Sequence, residues 1–210
     1  ASTAGRYSVV TKGALTGAIA CSNSGGFFGN EMKNAGYDMV IFEGKSDKPV
    51  YLMIQDDDAQ LLDASAFWGG STWDTEEGIK KAHGDPQIRV ASIGVSGEKG
   101  VKYACVVNDM DRAAGRSGVG TVMGSKNLKA VAIRGTKGVP VADAPAFMAA
   151  VNAGKAVLAE NAVTGQGLPA FGTQVLMNVI NETGALPTRN HTEVQFEGAN
   201  NISAEAMAEP

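Results

Sequence analysis

The sequence is poor in long apolar runs, in cysteine and in basic charge. Its 210 residues contain no apolar stretch of about 18 residues, so no membrane-spanning helix is predicted. A net charge of −4 and the lack of a basic run argue against a nucleic-acid-binding surface. The two cysteines, Cys21 and Cys105, have neither the number nor the spacing of a disulfide framework or a metal site. We interpret them as reduced thiols of a cytoplasmic protein.

Familiar catalytic patterns are missing as well, whereas glycine is abundant. No Ser-His-Asp set, H-E-x-x-H motif or paired-carboxylate signature occurs, so no catalytic residue is predicted. The 27 glycines are about 13% of the chain, roughly twice the average usage, and show no collagen period. Glycines spread in this way predict positive backbone φ angles or close approach of the main chain to a bulky group.

The pattern of apolar residues predicts an α+β region followed by a helical one. Residues 1–142 alternate between short apolar strands and short helices, and from residue 143 the sequence becomes alanine-rich with helical spacing. Both ends interrupt a pattern, so we expect a segment of a longer polypeptide. The predicted strands are 6–13, 17–23, 38–44, 49–55, 88–94, 101–108 and 128–135, and residues 56–65 are predicted as a hairpin turn plus a shorter strand. The predicted helices are 30–37, 72–84, 144–161 and 173–184.

The α+β region also shows a weak internal repeat. A shift of 91 residues aligns Gly29 with Gly120, Val40 with Val131 and Gly44 with Gly135, and it then aligns the Pro-Val pairs at 49 and 140. The shared layout is a glycine-rich loop, a short helix, an apolar strand and a glycine. This repeat predicts a duplicated, pseudo-twofold sheet domain, which suits a ligand built from two similar parts.

One loop of the first half is a candidate anion site. Asn23, Ser24, Gly25 and Gly26 are successive small residues, and such a run can direct several backbone N–H groups at one phosphate. A plain connection between a strand and a helix is the alternative. Arg6 opens the strand that leads towards this loop, although an arginine there could equally be a surface charge.

A second candidate lies in the stretch "NDMDRAAGRSGVGTVMGSKN", residues 108–127. Arg112 offers a planar fork for phosphate oxygens, and Ala113, Ala114 and Gly115 beside it would let a large ligand approach the main chain. The stretch does not form a dinucleotide-binding fingerprint, because Met123 stands where the next glycine is required. The P-loop signature is absent too.

At these same residues the sequence resembles the tungsten-containing aldehyde ferredoxin oxidoreductases. The likeness is carried by "GRYSVVTKGALTGAIACSNSGGFFGNEMKNAGYDMVIFEGKSDKPVYL", by "VNDMDRAAGRSGVGTVMGSKNLKAVAIRGTKGVPVAD" and by "GLPAFGTQVLMNVINETGALPTRN". It implies a duplicated α+β domain that forms the base for a bis-pterin cofactor, followed by the start of an all-α domain. The chain would stop before the family's C-x-x-C-x-x-x-C segment, whose cysteines bind a [4Fe–4S] cluster.

The resemblance also implies roles for particular residues. Pterin contacts fall on the two candidate loops and on Arg6, and a magnesium ion bridging the pterin phosphates would be bound by the main-chain carbonyls of Asn23 and Ala113. Magnesium with a few protein oxygens plus phosphates is ordinary coordination. The full set of implied cofactor-binding residues is Arg6, Asn23, Ser24, Gly25, Gly26, Arg112, Ala113, Ala114 and Gly115.

The chemistry that the resemblance implies is oxidation of aldehydes to carboxylic acids at a tungsten, or molybdenum, bis-pterin centre. Electrons would leave through the [4Fe–4S] cluster to ferredoxin or an electron-transfer subunit, in a homo-oligomer or a larger complex. The family's catalytic groups fall outside this sequence. Two alternatives stay open: a relative that reduces carboxylates or aromatic thioesters, and a stand-alone pterin-binding carrier module.

Overall fold

The computed structural model describes residues 5–208. Within this range the chain divides into two compact units, with the boundary between Pro140 and Val141. The first unit contains both sheets and the second is helical, so the predicted α+β class is confirmed. The domain boundary that the sequence predicts at 142/143 stays a prediction.

The first unit is built on a hairpin and a mixed six-stranded sheet. The hairpin pairs β1 with β2 in antiparallel fashion. The larger sheet has the strand order β4-β3-β8-β5-β6-β7, in which only β3 and β8 are parallel. The strands are β1 (Tyr7–Lys12), β2 (Ile19–Ser24), β3 (Val50–Gln55), β4 (Asp58–Asp63), β5 (Arg89–Ser92), β6 (Val106–Asn108), β7 (Arg112–Ala114) and β8 (Leu128–Arg134).

Four helices connect these strands: α1 (Phe28–Asn34), α2 (Thr72–His83), α3 (Val95–Glu98) and α4 (Val119–Ser125). Helix α2 begins at a capping box, in which Ser71 and Asp74 each accept a hydrogen bond from the other's backbone N–H. It ends at Gly84, whose φ of 65° reverses the chain. The sequence predicted this glycine stop.

The central strands β3 and β8 of the larger sheet are buried on both faces, which explains their continuous apolar sequences, whereas the edge strand β4 is largely exposed. In β3, Leu52 and Ile54 pack with α1 and α4 on one face, whereas Tyr51 and Met53 pack with α2 on the other. The same alternation continues in the central strand β8. One buried charge interrupts it, because the Lys129 ammonium forms an ion pair with the Glu98 carboxylate and donates to the Gly70 carbonyl at 3.0 Å.

Several predicted elements are wrong or shortened. Residues 38–44 form no strand, although their apolar pattern predicted one. Only Val106–Asn108 of the predicted strand 101–108 is extended, because residues 102 and 103 form a turn. The first helix spans Phe28–Asn34 instead of 30–37. The glycine-rich stretch 115–124 contains most of α4, for which the sequence repeat indicated a short helix but the apolar pattern gave no bounds.

As far as residue 208, the second unit contains one long helix and several short helical segments. Its long helix α5 (Ala144–Glu160) agrees with the predicted helix at 144–161. The helix predicted at 173–184 is divided into a 3₁₀ segment, Gly172–Leu176, and α7 (Met177–Glu182). The other helical segments are a π-helix (Ala162–Gly167), α6 (Leu168–Phe171), a 3₁₀ segment (Ala199–Ile202) and α8 (Ala204–Ala208).

No helix in the described range is both long and apolar enough to cross a lipid bilayer.

Candidate functional site

The two candidate loops, far apart in sequence, are neighbours in the fold. The Arg116 backbone N–H donates to the Ser22 hydroxyl at 3.0 Å, which joins the segment directly after β7 to β2. A Cβ atom placed on Gly26 would lie 3.1 Å from Cγ of Arg112. The structure therefore brings residues 23–26 and 112–115 to one edge of the first unit.

Arg6 lies beside the same loops. A Cβ on Gly29, in the helix that follows the first loop, would be 3.3 Å from the Arg6 carbonyl. A Cβ on Gly5 would be 3.5 Å from the Gly26 carbonyl oxygen. All three sequence-predicted elements of the site are thus adjacent.

Strand alternation decides which of these side chains reach the surface. Ser24 and Ala114 are buried, so they could offer a ligand only their main chain. The exposed members of the predicted set are Arg6, Asn23, Arg112, Ala113 and Gly115. The Asn23 side chain accepts a hydrogen bond from the Ser8 hydroxyl at 2.6 Å. This bond joins β2 to β1 and occupies the Asn23 side-chain oxygen.

The glycines of the site differ in what surrounds them. A Cβ on Gly25 or Gly115 would meet no atom within 4 Å, so both positions face open space. Gly26 has a φ of +89°, and a Cβ there would lie only 2.3 Å from the Asp109 carboxylate. Gly26 is required by the fold, whereas packing within the chain gives no reason for glycine at 25 or 115. Open backbone of this kind suits the close approach of a ligand.

Asn108, which sequence reasoning missed, joins the two loops. It is fully buried at the end of β6. Its Oδ1 accepts hydrogen bonds from the Tyr7 hydroxyl at 2.9 Å and the Ser24 hydroxyl at 2.7 Å. Its Nδ2 donates to the Gly25 carbonyl at 2.9 Å and to Asp109 at 2.8 Å. Because those last two partners can only accept, the orientation of the amide is fixed.

Asp109 was missed as well. Its Oδ2 accepts from the backbone N–H of Phe27 at 2.7 Å and of Phe28 at 3.3 Å. These N–H groups at the start of α1 are therefore not free for a phosphate. Asp109 has a φ of 48° and Met110 one of 64°, and this left-handed turn is tolerated best by Asp, Asn and Gly. The sequence feature that could have indicated these two residues is an Asn-Asp pair at the end of an apolar run.

Charged and aromatic side chains also contact Asn108 and Asp109. The Arg89 guanidinium lies 3.4 Å from the Asp109 carboxylate and stacks on the Phe27 ring at 4.8 Å. Burial raises the pKa of the Tyr7 hydroxyl, which therefore stays protonated and serves as a donor to Asn108. Arg112, in contrast, is exposed, and its one ion pair among the described residues is with the exposed Asp111 at 3.7 Å, so solvent and an anion can reach its guanidinium.

A cavity of the first unit meets the predicted site residues at Arg6, which lines it. It has a volume of about 620 Å³ and is lined by β1, by residues 38–42 and by apolar side chains such as Val119, Met123 and Val131. Neither Asn23 nor Ala113 lines it. Within residues 5–208, no group of three or more His, Cys, Asp or Glu side chains could hold a metal ion. A metal at the candidate site would have to rely on main-chain oxygens and on the ligand itself.

The chain matches two family models. The model "Aldehyde ferredoxin oxidoreductase, N-terminal domain" covers residues 1–135, and "Aldehyde ferredoxin oxidoreductase, domains 2 & 3" covers residues 149–210. The chain is 52% identical over 208 residues to the tungsten-containing aldehyde ferredoxin oxidoreductase of Pyrococcus abyssi, covering 99% of this chain and 34% of that protein. The corresponding Pyrococcus furiosus protein is 50% identical with the same coverage. The chain thus spans 34% of the length of these relatives.

More distant relatives extend the comparison. The chain is 34% identical over 147 residues to the "Aliphatic sulfonate oxidoreductase, WOR-like subunit" of Pyrococcus furiosus, covering 64% of this chain and 24% of that protein. It also resembles a solved chain in the active site complex BamBC of benzoyl coenzyme A reductase with 1,5 dienoyl-CoA. That match has a TM-score of 0.67 and 36% identity, and it covers 87% of this chain and 25% of that one. From the matched family models and the identity of 50–52% to named members, the chain belongs to the aldehyde ferredoxin oxidoreductase family.

Proposed function

We propose that this chain forms the base that binds the phosphates of a tungsten, or molybdenum, bis-pterin cofactor in an aldehyde-oxidising enzyme. One observation carries the proposal: residues 23–26 and 112–115, about 90 positions apart in sequence, meet at one edge with Gly25 and Gly115 open to solvent. Family membership makes a pterin cofactor the ligand that such an edge would bind.

The residues present fit the group. Arg6 and Arg112 would pair with phosphate oxygens, since guanidinium groups form charge-assisted hydrogen bonds to phosphate. The main-chain carbonyls of Asn23 and Ala113 would hold a magnesium ion, which would neutralise negative charge on the phosphates. Ser24, Gly25, Gly26, Ala114 and Gly115 would contribute backbone and space, and the burial of the Ser24 and Ala114 side chains agrees with that role.

When bound, the tungsten bis-pterin group supplies the oxidation of an aldehyde to a carboxylic acid. The residues of this chain hold and orient the cofactor, and none of them is assigned to proton transfer. The proposal includes a [4Fe–4S] cluster with ligands outside this sequence, ferredoxin or an electron-transfer subunit as acceptor, assembly as a homo-oligomer or larger complex, and a cytoplasmic location.

Of the two alternatives, one has specific support. The likeness to a chain of the benzoyl coenzyme A reductase complex favours a relative that reduces aromatic thioesters or carboxylates. A stand-alone carrier is less favoured, because α5 of the second unit has no buried residue and exposes Phe147, Met148 and Val157. An apolar surface of that kind suits contact with further protein.

The proposal is tested on the full-length protein purified without oxygen. We expect stoichiometric tungsten or molybdenum, pterin released on oxidation, and aldehyde-dependent reduction of a viologen dye. Arg112→Ala should lower metal and pterin content by about tenfold while the chain still folds, because a charge-assisted contact to phosphate is lost. Arg189→Ala, which removes an exposed arginine of the second unit, is the matched control and should leave the content unchanged. Equal metal content in wild type and Arg112→Ala would contradict the assignment.

A further inference from the structure

We propose that Asn108 and Asp109 are positioning residues for the cofactor, because they fix the backbone of residues 23–28 against β7. This inference rests on the proposed function but concerns residues that the family resemblance did not indicate. Neither side chain needs to touch the ligand.

Asn108 acts on the main chain of the first loop. Its amide uses both lone pairs of Oδ1 and both hydrogens of Nδ2, so no bonding capacity is left over. One of these bonds holds the carbonyl of Gly25, the glycine that faces open space. Asn108 also pairs with Arg112 across the β6–β7 ladder. One buried amide therefore sets the loop carbonyl and the phosphate-binding arginine in fixed register.

Asp109 holds the same loop from its other end. Its carboxylate binds the N–H groups of Phe27 and Phe28, and it lies against Gly26, where no Cβ would fit. An internal anion therefore occupies the start of α1, and a cofactor phosphate is restricted to the side of Asn23 and Gly25. Arg89 compensates the buried charge.

The contacts made by Asn108 and Asp109 together restrict the motion of residues 23–28. Gly25 and Gly26 have wide backbone freedom, so an unheld loop would lose much conformational entropy each time it bound a phosphate. A loop that is already fixed does not pay this cost again on binding. Loss of the contacts should therefore increase the rate at which the cofactor leaves, beyond any loss of fold stability.

The test uses full-length holoprotein and follows the loss of tungsten and pterin on gel filtration at a temperature well below unfolding. Asn108→Asp keeps the shape but replaces both N–H donors with oxygen, which then opposes the Gly25 carbonyl and Asp109. We expect release at least about tenfold faster than in wild type. Tyr7→Phe removes the hydroxyl that donates to Asn108 Oδ1 and leaves the hydrogen bond from Asn108 to the Gly25 carbonyl. Release of tungsten and pterin should then be about threefold faster than in wild type.

Tyr51→Phe is the matched control, since it also removes one hydroxyl, which bonds to His83 at 3.0 Å on the opposite face of the sheet. It should change the melting temperature without changing release. Wild-type release rates in Asn108→Asp, or equal acceleration in the two tyrosine variants, would overturn the positioning role. If Asn108→Asp does not fold, the tyrosine pair decides alone. If the purified wild-type protein contains no pterin, the proposed function is refuted, and the positioning role with it.

Discussion

Helices α1 and α4 are both seven residues long and lie 91 positions apart, but their surroundings differ. The N-terminal N–H groups of α1 are bound by the Asp109 side chain. Helix α4 instead begins at Gly118, whose φ is 66° and whose missing Cβ would be 1.9 Å from the Lys102 carbonyl oxygen. One helix is held by a side chain next to the candidate site, and the other by tight backbone packing in the core.

The segments that follow these helices also differ. Helix α4 leads into β8, which pairs with β3 and β5 and is buried on both faces. Helix α1 leads into residues 38–44, which pair with no described strand and expose Met39 and Ile41. The same sequence pattern therefore gives a strand only where neighbouring strands supply hydrogen-bond partners. The 91-residue shift aligns residues 28–44, the first copy of the sequence pattern, with residues 119–135, the second copy. The first copy is packed more loosely, and it directly follows the first candidate loop.

The largest expected effect comes from the aligned glycines of the two helices. A Cβ on Gly120 would be 2.3 Å from the Cys105 carbonyl oxygen, whereas a Cβ on Gly29 would have its nearest contacts at 3.3 Å, to Arg6. Gly120→Ala should lower the free energy of unfolding by about 3 kcal/mol, because a backbone must move. Gly29→Ala should change it by less than about 1 kcal/mol, since the gain in helix propensity offsets the close contact.

Urea unfolding of the two variants followed by circular dichroism measures this difference. If the two alanines destabilise equally, the second copy is not packed more tightly than the first, and the comparison fails.

A comparable effect is expected in the segments that follow the helices. Ile133 of β8 is fully buried, and Ile133→Ala should cost about 2–4 kcal/mol through lost packing and a cavity. Ile41 is 71% exposed, so Ile41→Ala should stay within about 0.5 kcal/mol. Thermal unfolding of both variants is the measurement. A large cost at Ile41 would show that residues 38–44 are buried in the full-length protein.

The sequence alone did not predict the structural difference between residues 38–44 and β8, or the position of α4. Apolar spacing predicted β3, β5 and β8 closely, because a strand buried on both faces leaves a continuous apolar run. The same kind of run at 38–44 was misleading, since periodicity records side-chain burial and not the presence of a pairing partner. Helix α4 was hidden by its glycines, which disfavour helices in isolation but permit the close contacts to residues 97 and 105.

The candidate site was predicted in part. Small residues and arginines marked both loops, and family resemblance gave their roles, which remain proposals. Asn108 and Asp109 were not found, because their importance depends on contacts with Tyr7, Ser24 and Gly25 more than 80 positions away. A polar pair after an apolar strand has many ordinary explanations, and only the fold shows which one applies.

The smallest expected effect concerns Arg134, which connects the two copies. Its guanidinium at the end of β8 bonds to Glu31 of α1 at 3.1 Å and to Asp85 at 2.8 Å. The Gln87 N–H, together with Arg134, lowers the pKa of Asp85 below its usual value. A lowered folded-state pKa contributes stability above the unfolded-state pKa of about 3.9, and that contribution is lost as pH falls towards the folded-state value.

Asp85→Asn should therefore be less stable than wild type at pH 6, and the difference should shrink as the pH drops below about 4. Unfolding free energies of both proteins between pH 6 and pH 2.5 test this, with Asp57→Asn as a control at an exposed aspartate that pairs with Lys137. A difference that stays constant down to the lowest pH would mean that Asp85 acts through shape and not through its charge. The two copies would then be joined by packing of α1 on β8 and not by the Arg134 ion pairs.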